Sequence, residues 1–94
     1  MYVTIRNYAG NAALADALVE NEAEVRSLIT GINGFRSYYL VSTGDGAVSV
    51  SVYDTKDGAD ESTRVAGNWL RENLADLAVA APDVSAGEAV LSFY

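Results

Sequence analysis

The sequence predicts a single α+β domain over residues 1–94, with the element order strand, helix, strand, strand, helix, strand. Two observations predict this order. Short runs of alternating β-branched or aromatic residues indicate strands, and two longer segments with apolar residues three or four positions apart indicate amphipathic helices. The length also favours one core over two. This order is the split βαβ unit, so we expect a ferredoxin-like antiparallel sheet with both helices on one face.

The first strand is predicted at Tyr2–Tyr8, where Val3 and Ile5 alternate with polar residues. The first helix is predicted over Ala12–Thr30, because apolar residues recur there at spacings of three, four and seven. Asn11 precedes this segment and is a preferred helix N-cap type. Glycines that follow the segment favour a helix end close to Thr30.

The second and third strands are predicted at Phe35–Val41 and Ala47–Tyr53, and the third shows very regular alternation. The short connection Thr43–Gly46 contains two glycines and an aspartate. Such a connection between two alternating runs is typical of a β-hairpin, so these strands should pair antiparallel.

The second helix is predicted to begin after Thr55, which can cap it, and to reach about Leu77. Pro82 prevents any further extension, because its ring and missing N–H are incompatible with a helix interior. The last strand is predicted at Ala86–Tyr94.

Alternation also assigns side chains to the two sheet faces. We expect the Val and Ile set, which includes Val3, Ile5 and Val50, to pack against the helices. The opposite set is rich in tyrosine, which favours interfaces, so we expect this face to meet a second copy of the chain in a twofold homodimer. Within it we expect Arg6 and Glu88 to be paired. The candidate interface residues are Arg6, Arg36, Tyr38, Tyr53 and Glu88.

Composition excludes several function classes. The chain has no Cys and no His, which removes disulfides, thiol nucleophiles, thiolate or imidazole metal sites and imidazole general bases. A net charge of −7 argues against a nucleic-acid partner. No apolar run is long enough for a membrane span, and the N-terminus shows no signal-peptide pattern, so we expect a cytoplasmic protein with an acidic surface.

Four segments together resemble a known superfamily: Gly34-Phe35 at the start of strand two, Val50–Asp54 leading into the second helix, Asn68–Leu74, and Gly87–Val90 entering the last strand. With the element order, they make the whole chain resemble the dimeric α+β barrel superfamily, and within it small proteins related to antibiotic biosynthesis monooxygenases. The resemblance implies a pocket between the helices and the sheet of each subunit. It also implies two activities found among members, metal-free and flavin-free oxygenation of reduced aromatics and haem degradation.

The candidate pocket residues are Asn7, Tyr39, Trp69 and Asn73. Asn7 has the parity of the Val and Ile row and could orient a ligand by hydrogen bonds, or it could bond to the backbone at the strand end. Trp69 could form an aromatic floor and Tyr39 could donate a proton, although both residue types also serve as packing. Asn73 shares the helix flank of Trp69.

Haem-degrading members of the superfamily resemble this chain in an Asn on strand one, here Asn7, and a Trp on helix two, here Trp69. They also need a His to ligate iron, and the chain has none, so haem cleavage is disfavoured. No metal site is expected. Asp57, Asp60 and Glu61 begin the second helix, where acids interact favourably with the helix dipole.

Two function hypotheses remain open at this stage. One is a homodimer that binds a small apolar or aromatic molecule or acts as an interaction module. The other is cofactor-independent oxygenation of an electron-rich aromatic substrate, for which no general base is evident in the sequence.

Overall fold

A computed structural model describes all 94 residues, Met1–Tyr94. Four antiparallel strands form one sheet in the order β2-β3-β1-β4, and the helices contact its central and β2 strands. The ferredoxin-like α+β prediction is therefore confirmed. The elements are β1 Tyr2–Tyr8, α1 Leu14–Glu20, α2 Glu22–Thr30, β2 Phe35–Ser42, β3 Ala47–Tyr53, α3 Lys56–Asn73, a 3-10 turn at Ala75–Leu77, and β4 Asp83–Glu88.

The predicted β2–β3 hairpin is confirmed. Thr43 N donates to Gly46 O at 3.2 Å, and Gly44 has φ +90°, a conformation that favours glycine. Gly46 is required for a different reason, because a Cβ atom there would lie 2.1 Å from the carbonyl oxygen of Tyr8. The hairpin turn can therefore pass close to the end of β1.

The predicted first helix is divided into α1 and α2 at Asn21, whose backbone has φ −106° and ψ 27°. The Asn21 side chain donates to Ala17 O at 2.8 Å and so occupies a carbonyl group of the preceding helical turn. Asn side chains compete in this way with the backbone N–H groups of a helix for its carbonyl oxygens. Asn11 is not the N-cap, because its Nδ2 donates to Leu77 O at 2.9 Å and ties the start of this region to the 3-10 turn.

Helix α3 begins as predicted, with Thr55 Oγ1 accepting from Gly58 N at 3.5 Å. The α-helix ends at Asn73, before the predicted Leu77, and the 3-10 turn occupies the difference. After that turn Ala78 adopts a left-handed backbone with φ 50° and redirects the chain toward β4.

The last strand begins earlier than predicted and ends at Glu88. Glu88 pairs with Tyr2, and Ala89 N still donates to Met1 O at 2.9 Å. Residues 90–94 belong to no strand. No helix is long and apolar enough to cross a membrane.

The assignment of faces was wrong. The row containing Thr4, Arg6 and Tyr8 is buried beneath the helices, whereas Ile5 is 41% exposed on the opposite side, here called the open face. Alternation separates two faces but does not say which one the helices cover. The polar row can be covered because α3 brings hydroxyl groups that accept its hydrogen bonds. The buried row consists of Thr4, Arg6, Tyr8, Ala47, Ser49, Ser51 and Tyr53.

A β-bulge at Arg36 adds to this difference. Phe35 pairs with Tyr53 and Ser37 with Val52, so Arg36 is the extra residue in β2. The bulge shifts the alternation of the strand by one position. Phe35 and Tyr38 consequently both pack against the cluster that contains Ile29.

Candidate functional site

Arg6 lies at the centre of the covered face and is 1% exposed. Its Nε donates to Ser49 Oγ at 3.1 Å and its Nη2 to Ser51 Oγ at 2.8 Å, both on the neighbouring strand β3. Nη1 donates to Ser62 Oγ and Thr63 Oγ1 on α3, each at 3.1 Å. Four hydroxyl groups from a strand and a helix therefore hold the guanidinium plane in one orientation.

No carboxylate compensates this charge. The ion pairs of the chain all lie at the surface and none includes Arg6. Arginine stays protonated in proteins, so the site carries a buried positive charge surrounded by neutral hydroxyls. The surface pairs are the Met1 amino group with Glu88, Arg26 with Glu22, Arg36 with Asp54, Lys56 with Asp60, and Arg64 with Glu61.

Three phenols surround the guanidinium. Burial raises the pKa of Tyr8, Tyr38 and Tyr53, and the nearby Arg6 charge opposes that shift for each. Tyr53 Oη donates to Ile29 O at 2.9 Å, so this phenol is used in packing. The phenols are neutral near pH 7, as tyrosine ordinarily is, and burial makes their ionisation still less favourable.

A small cavity of about 30 Å³ lies between the helices and the sheet, directly beside Arg6. Its wall is mainly apolar, with Arg6 and Ser49 as its non-hydrophobic members. At the outer side Trp69 Nε1 donates to Glu24 Oε2 at 3.3 Å, which joins α3 to α2. The lining residues are Arg6, Tyr8, Leu18, Val25, Leu28, Ile29, Tyr38, Ser49, Ala66, Trp69 and Leu70.

Two open grooves adjoin this cavity. One, of about 300 Å³, runs between α1, α2 and β2 and shares Leu18, Val25, Ile29 and Tyr38 with the cavity wall. The other, of about 450 Å³, lies under the end of α3 and the following turn and shares Tyr8 and Leu70. The shared side chains lie between the cavity and the two grooves.

The structure separates the predicted pocket residues. Trp69 is buried and lines the cavity. Asn73 lies on the outer side of α3, where its Nδ2 donates to Trp69 O at 3.0 Å. Asn7 is exposed on the open face, and so is Tyr39, which is 61% exposed. Their predicted position between helices and sheet is wrong, because the two faces are exchanged.

The predicted interface residues are separated as well. Arg6, Tyr38 and Tyr53 point toward the helices and not toward the open face. Arg36 is exposed at the bulge and pairs with Asp54. Glu88 pairs with the Met1 amino group, so the predicted Arg6–Glu88 pair does not form.

Sequence reasoning missed the hydroxyl cage of Arg6. A signal was available: Ser49 and Ser51 alternate with valines in β3, and Ser62 and Thr63 lie on the helix that crosses this strand. Small hydroxyls on one strand face beside an arginine are typical of a buried, hydrogen-bonded guanidinium. No three His, Cys, Asp or Glu side chains are gathered so that they could hold a metal ion, and at the start of α3 Asp60 pairs with Lys56 and Glu61 with Arg64.

No protein-family model matches the chain, and no curated protein matches it. Several solved structures are similar. A variant of MhuD, a heme-degrader from Mycobacterium tuberculosis, with two manganese protoporphyrin IX molecules per active site has a TM-score of 0.73 at 15% identity, covering 100% of this chain and 99% of that chain.

Two further solved structures are also similar to this chain. A dimeric ferredoxin-like protein from an uncultured marine organism has a TM-score of 0.63 at 16% identity, covering 99% of this chain and 94% of that one. SnoaB, a cofactor-independent oxygenase from Streptomyces nogalater, has a TM-score of 0.59 at 16% identity and covers 97% and 92%. At these identities the likeness concerns the fold, and the chain has the ferredoxin-like α+β fold of these structures.

Proposed function

We propose that this protein is a homodimer that binds a small, largely apolar or aromatic molecule between the helices and the sheet of each subunit. The observation that carries the proposal is the cavity beside Arg6, with Trp69, Tyr8 and Tyr38 in an otherwise aliphatic wall. An apolar pocket with a few convergent polar groups is the usual form of a small-molecule site. We also still predict that the protein is cytoplasmic.

Ligand entry requires movement of side chains. A space of about 30 Å³ holds about two water molecules, which is less than one aromatic ring needs. The groove between α2 and β2 supplies the additional volume, because Val25 and Ile29 separate it from the cavity. We therefore expect α2 to shift outward when a ligand binds.

Trp69 is the only tryptophan and lines the cavity, so its fluorescence reports binding directly. Titration with naphthalene, naphthol and anthrone derivatives should change Trp69 emission saturably. The variant Ala66→Phe fills the cavity and should abolish the change, whereas Ala12→Phe at an exposed position should leave it intact. No saturable change across the panel, or equal binding by Ala66→Phe, would contradict the proposal.

Oxygenation without a cofactor is the second candidate function. The likeness to SnoaB and the neutral phenols of Tyr8 and Tyr38 in the cavity favour it. In this reaction an anthrone loses a proton, and its anion passes one electron to O₂. Recombination with superoxide then forms a C–O bond, the peroxide anion takes the proton back, and loss of water with the remaining hydrogen of that carbon leaves a quinone and the second oxygen atom in water. No carboxylate lines the cavity; Glu24 contacts its wall from the outer side through Trp69 Nε1 and is the base that we test.

Oxygen uptake with anthrones and hydroquinones tests this candidate. Uptake above the buffer rate should fall in Glu24→Gln, while Glu20→Gln, at an exposed position that lines neither the cavity nor the two grooves, should keep the wild-type rate. A rate equal to buffer for every substrate would leave ligand binding as the function. The chain has no His, the residue with which the haem-degrading members that it resembles ligate iron, so its residues do not fit haem bound in that way.

The open face supports the homodimer. It carries a continuous apolar surface, and monomeric proteins seldom expose large patches of this kind. A second copy, packed face to face, would cover it with twofold symmetry, the commonest arrangement in oligomers. The apolar members are Val3, Ile5, Tyr39, Val41, Val48, Val50 and Val52.

The C-terminal segment, residues 89–94, extends this apolar surface. Val90, Leu91, Phe93 and Tyr94 are each more than three-quarters exposed, and no strand of the same chain pairs with them. Large exposed apolar side chains on an unpaired segment are expected to be covered by a partner. We place this segment in the proposed dimer interface.

Sedimentation velocity tests the dimer. Wild-type protein should sediment as a dimer at micromolar concentration. Ile5→Glu on the open face should shift it to a monomer, because the twofold axis places two buried charges in one interface. Val19→Glu, on the outer side of α1 at 66% exposure, is the matched control and should remain dimeric. Deletion of residues 89–94 should raise the dissociation constant. A monomeric wild type, or a dimeric Ile5→Glu, would refute the interface.

A further inference from the structure

The buried charge of Arg6 indicates the chemical class of the ligand. The guanidinium is 1% exposed, its hydrogen bonds end on neutral hydroxyls, and it takes part in no ion pair. Burial of a charge without an opposite charge is strongly unfavourable. A negative group bound beside Arg6 would offset that cost.

The geometry leaves one donor for such a group. A guanidinium has five N–H groups, and the hydroxyl cage takes one from Nε, both from Nη1 and one from Nη2. The second N–H of Nη2 is left over by this cage, and the Tyr8 phenol oxygen lies within reach of the guanidinium, so a ligand that accepts from this donor would share it with Tyr8. Because four bonds fix the guanidinium plane, this donor is already oriented before a ligand binds.

The cavity has the complementary polarity. Its polar end is formed by Arg6 and Ser49, and its remaining wall by aromatic and aliphatic side chains such as Trp69 and Leu28. The phenols of Tyr8 and Tyr38 lie at the same polar end as neutral donors. Donors at one end and an apolar wall at the other match a ring that carries one anionic oxygen group.

We propose that the ligand is an aromatic organic anion, a carboxylate or a phenolate, whose oxygen accepts from Arg6 Nη2 while its ring lies against Trp69. This inference rests on the proposed binding of a small molecule in the same cavity. It differs from a purely structural role for Arg6, in which charged and neutral ligands of equal shape would bind equally well.

Matched ligands separate these cases. Titration of wild-type protein with 2-naphthoate and with 2-naphthamide, followed by Trp69 fluorescence and calorimetry, compares one ring with and without a charge. The carboxylate should bind about tenfold to a hundredfold more tightly, since hydrogen bonds between charged groups are the stronger kind. Equal affinities would overturn the anion proposal and leave the cavity function standing. Binding of neither ligand would overturn both.

Variants assign the preference to one residue. Arg6→Met keeps the length of the side chain and removes the charge, so the preference for naphthoate over naphthamide should disappear. Arg36→Met removes an exposed arginine of the same sheet and should leave the preference unchanged. Circular dichroism and a cooperative urea transition verify that both variants fold. Retention of the preference in folded Arg6→Met would overturn the assignment.

A spectroscopic test on wild-type protein applies even where Arg6→Met does not fold. The anion of 4-nitrophenol absorbs visible light and the neutral phenol does not. A guanidinium beside the bound oxygen should stabilise the anion, so its absorption band should appear on binding at a pH where free nitrophenol is neutral. A bound species with the spectrum of the neutral phenol would overturn the phenolate arm, and, with equal naphthoate and naphthamide affinities, the proposal as a whole.

Discussion

In this sheet the face that the helices cover is the more polar one and the open face is the more apolar one, which is the reverse of the usual arrangement. The face beneath the helices holds an arginine, a threonine, two serines and tyrosines, whereas the open face holds mainly valines and isoleucine. The covered face is stable because its polar groups, apart from the Thr4 hydroxyl, bond to one another and to α3. The difference shows that burial within one chain follows hydrogen-bond satisfaction as well as hydrophobicity.

The consequence is a division of roles between the faces. A substitution on the covered face removes a packing contact or leaves a buried partner unsatisfied, so the monomer should respond. A substitution on the open face changes a surface that the chain itself leaves uncovered, so association should respond instead. The following four predictions test this division, in order of decreasing expected effect.

Tyr53→Ala and Tyr39→Ala compare the faces directly. Tyr53 is 0% exposed, packs edge-on against Phe35 with ring centroids 5.9 Å apart, and donates to Ile29 O. Its loss should lower the free energy of unfolding by about 3–5 kcal/mol. Tyr39→Ala should change it by less than about 0.5 kcal/mol. Urea denaturation at low protein concentration measures both, and similar losses at the two sites would contradict the division of roles.

High pH should destabilise the covered face. Because burial raises the pKa of Tyr8, Tyr38 and Tyr53, the unfolded chain releases these protons at a lower pH than the folded chain. Stability is therefore complete below about pH 10 and falls as the pH rises toward the raised values, by up to about 1.4 kcal/mol per pH unit for each phenol. Urea titrations from pH 8 to 11 measure the slope, and Tyr38→Phe should reduce it. A flat profile would count against the buried phenols.

Thr63→Val and Thr4→Val should have opposite signs. Thr63 Oγ1 accepts from Arg6 Nη1, so its removal leaves a buried N–H unsatisfied and should cost about 1–3 kcal/mol. Thr4 Oγ1 is buried and has no hydrogen-bond partner, so valine should raise the free energy of unfolding by about 1 kcal/mol. Thermal unfolding of both variants checks the pair, and destabilisation by Thr4→Val would show that this hydroxyl does have a partner.

The surface pair Arg36–Asp54 should matter least. Both side chains are about half exposed, so Asp54→Asn should cost less than about 1 kcal/mol, and less still in 1 M salt. Urea denaturation at two salt concentrations measures this. A larger loss in the free energy of unfolding would indicate that the pair stabilises the β-bulge.

The fold could be predicted because its signals are local. Alternation placed β1 and β3 at their observed bounds, and Thr55 marked the start of α3. Boundaries were predicted less well where side-chain contacts or strand pairing decide them. The division of the first helix follows from the Asn21 side chain, and the bounds of β4 follow from its pairing with β1, more than seventy residues away in the chain.

The candidate site was predicted less well. Trp69 was placed beside the cavity, but Asn7 and Tyr39 lie on the other face. The error has one source, the assumption that the more apolar row must face the helices. Alternation with a period of two does not indicate which face of the sheet the helices cover, so one wrong choice placed every candidate strand residue on the wrong face.

The sequence by itself determined the order of the elements, the hairpin, and the existence of two unlike rows along each strand, because propensity and periodicity act over a few residues. Only the tertiary structure decided which row is covered. It brings Ser62 and Thr63 of α3 to within 3.1 Å of a guanidinium more than fifty residues away in the chain. Satisfying a buried charge requires donors and acceptors from distant elements to meet, and no local pattern encodes that meeting.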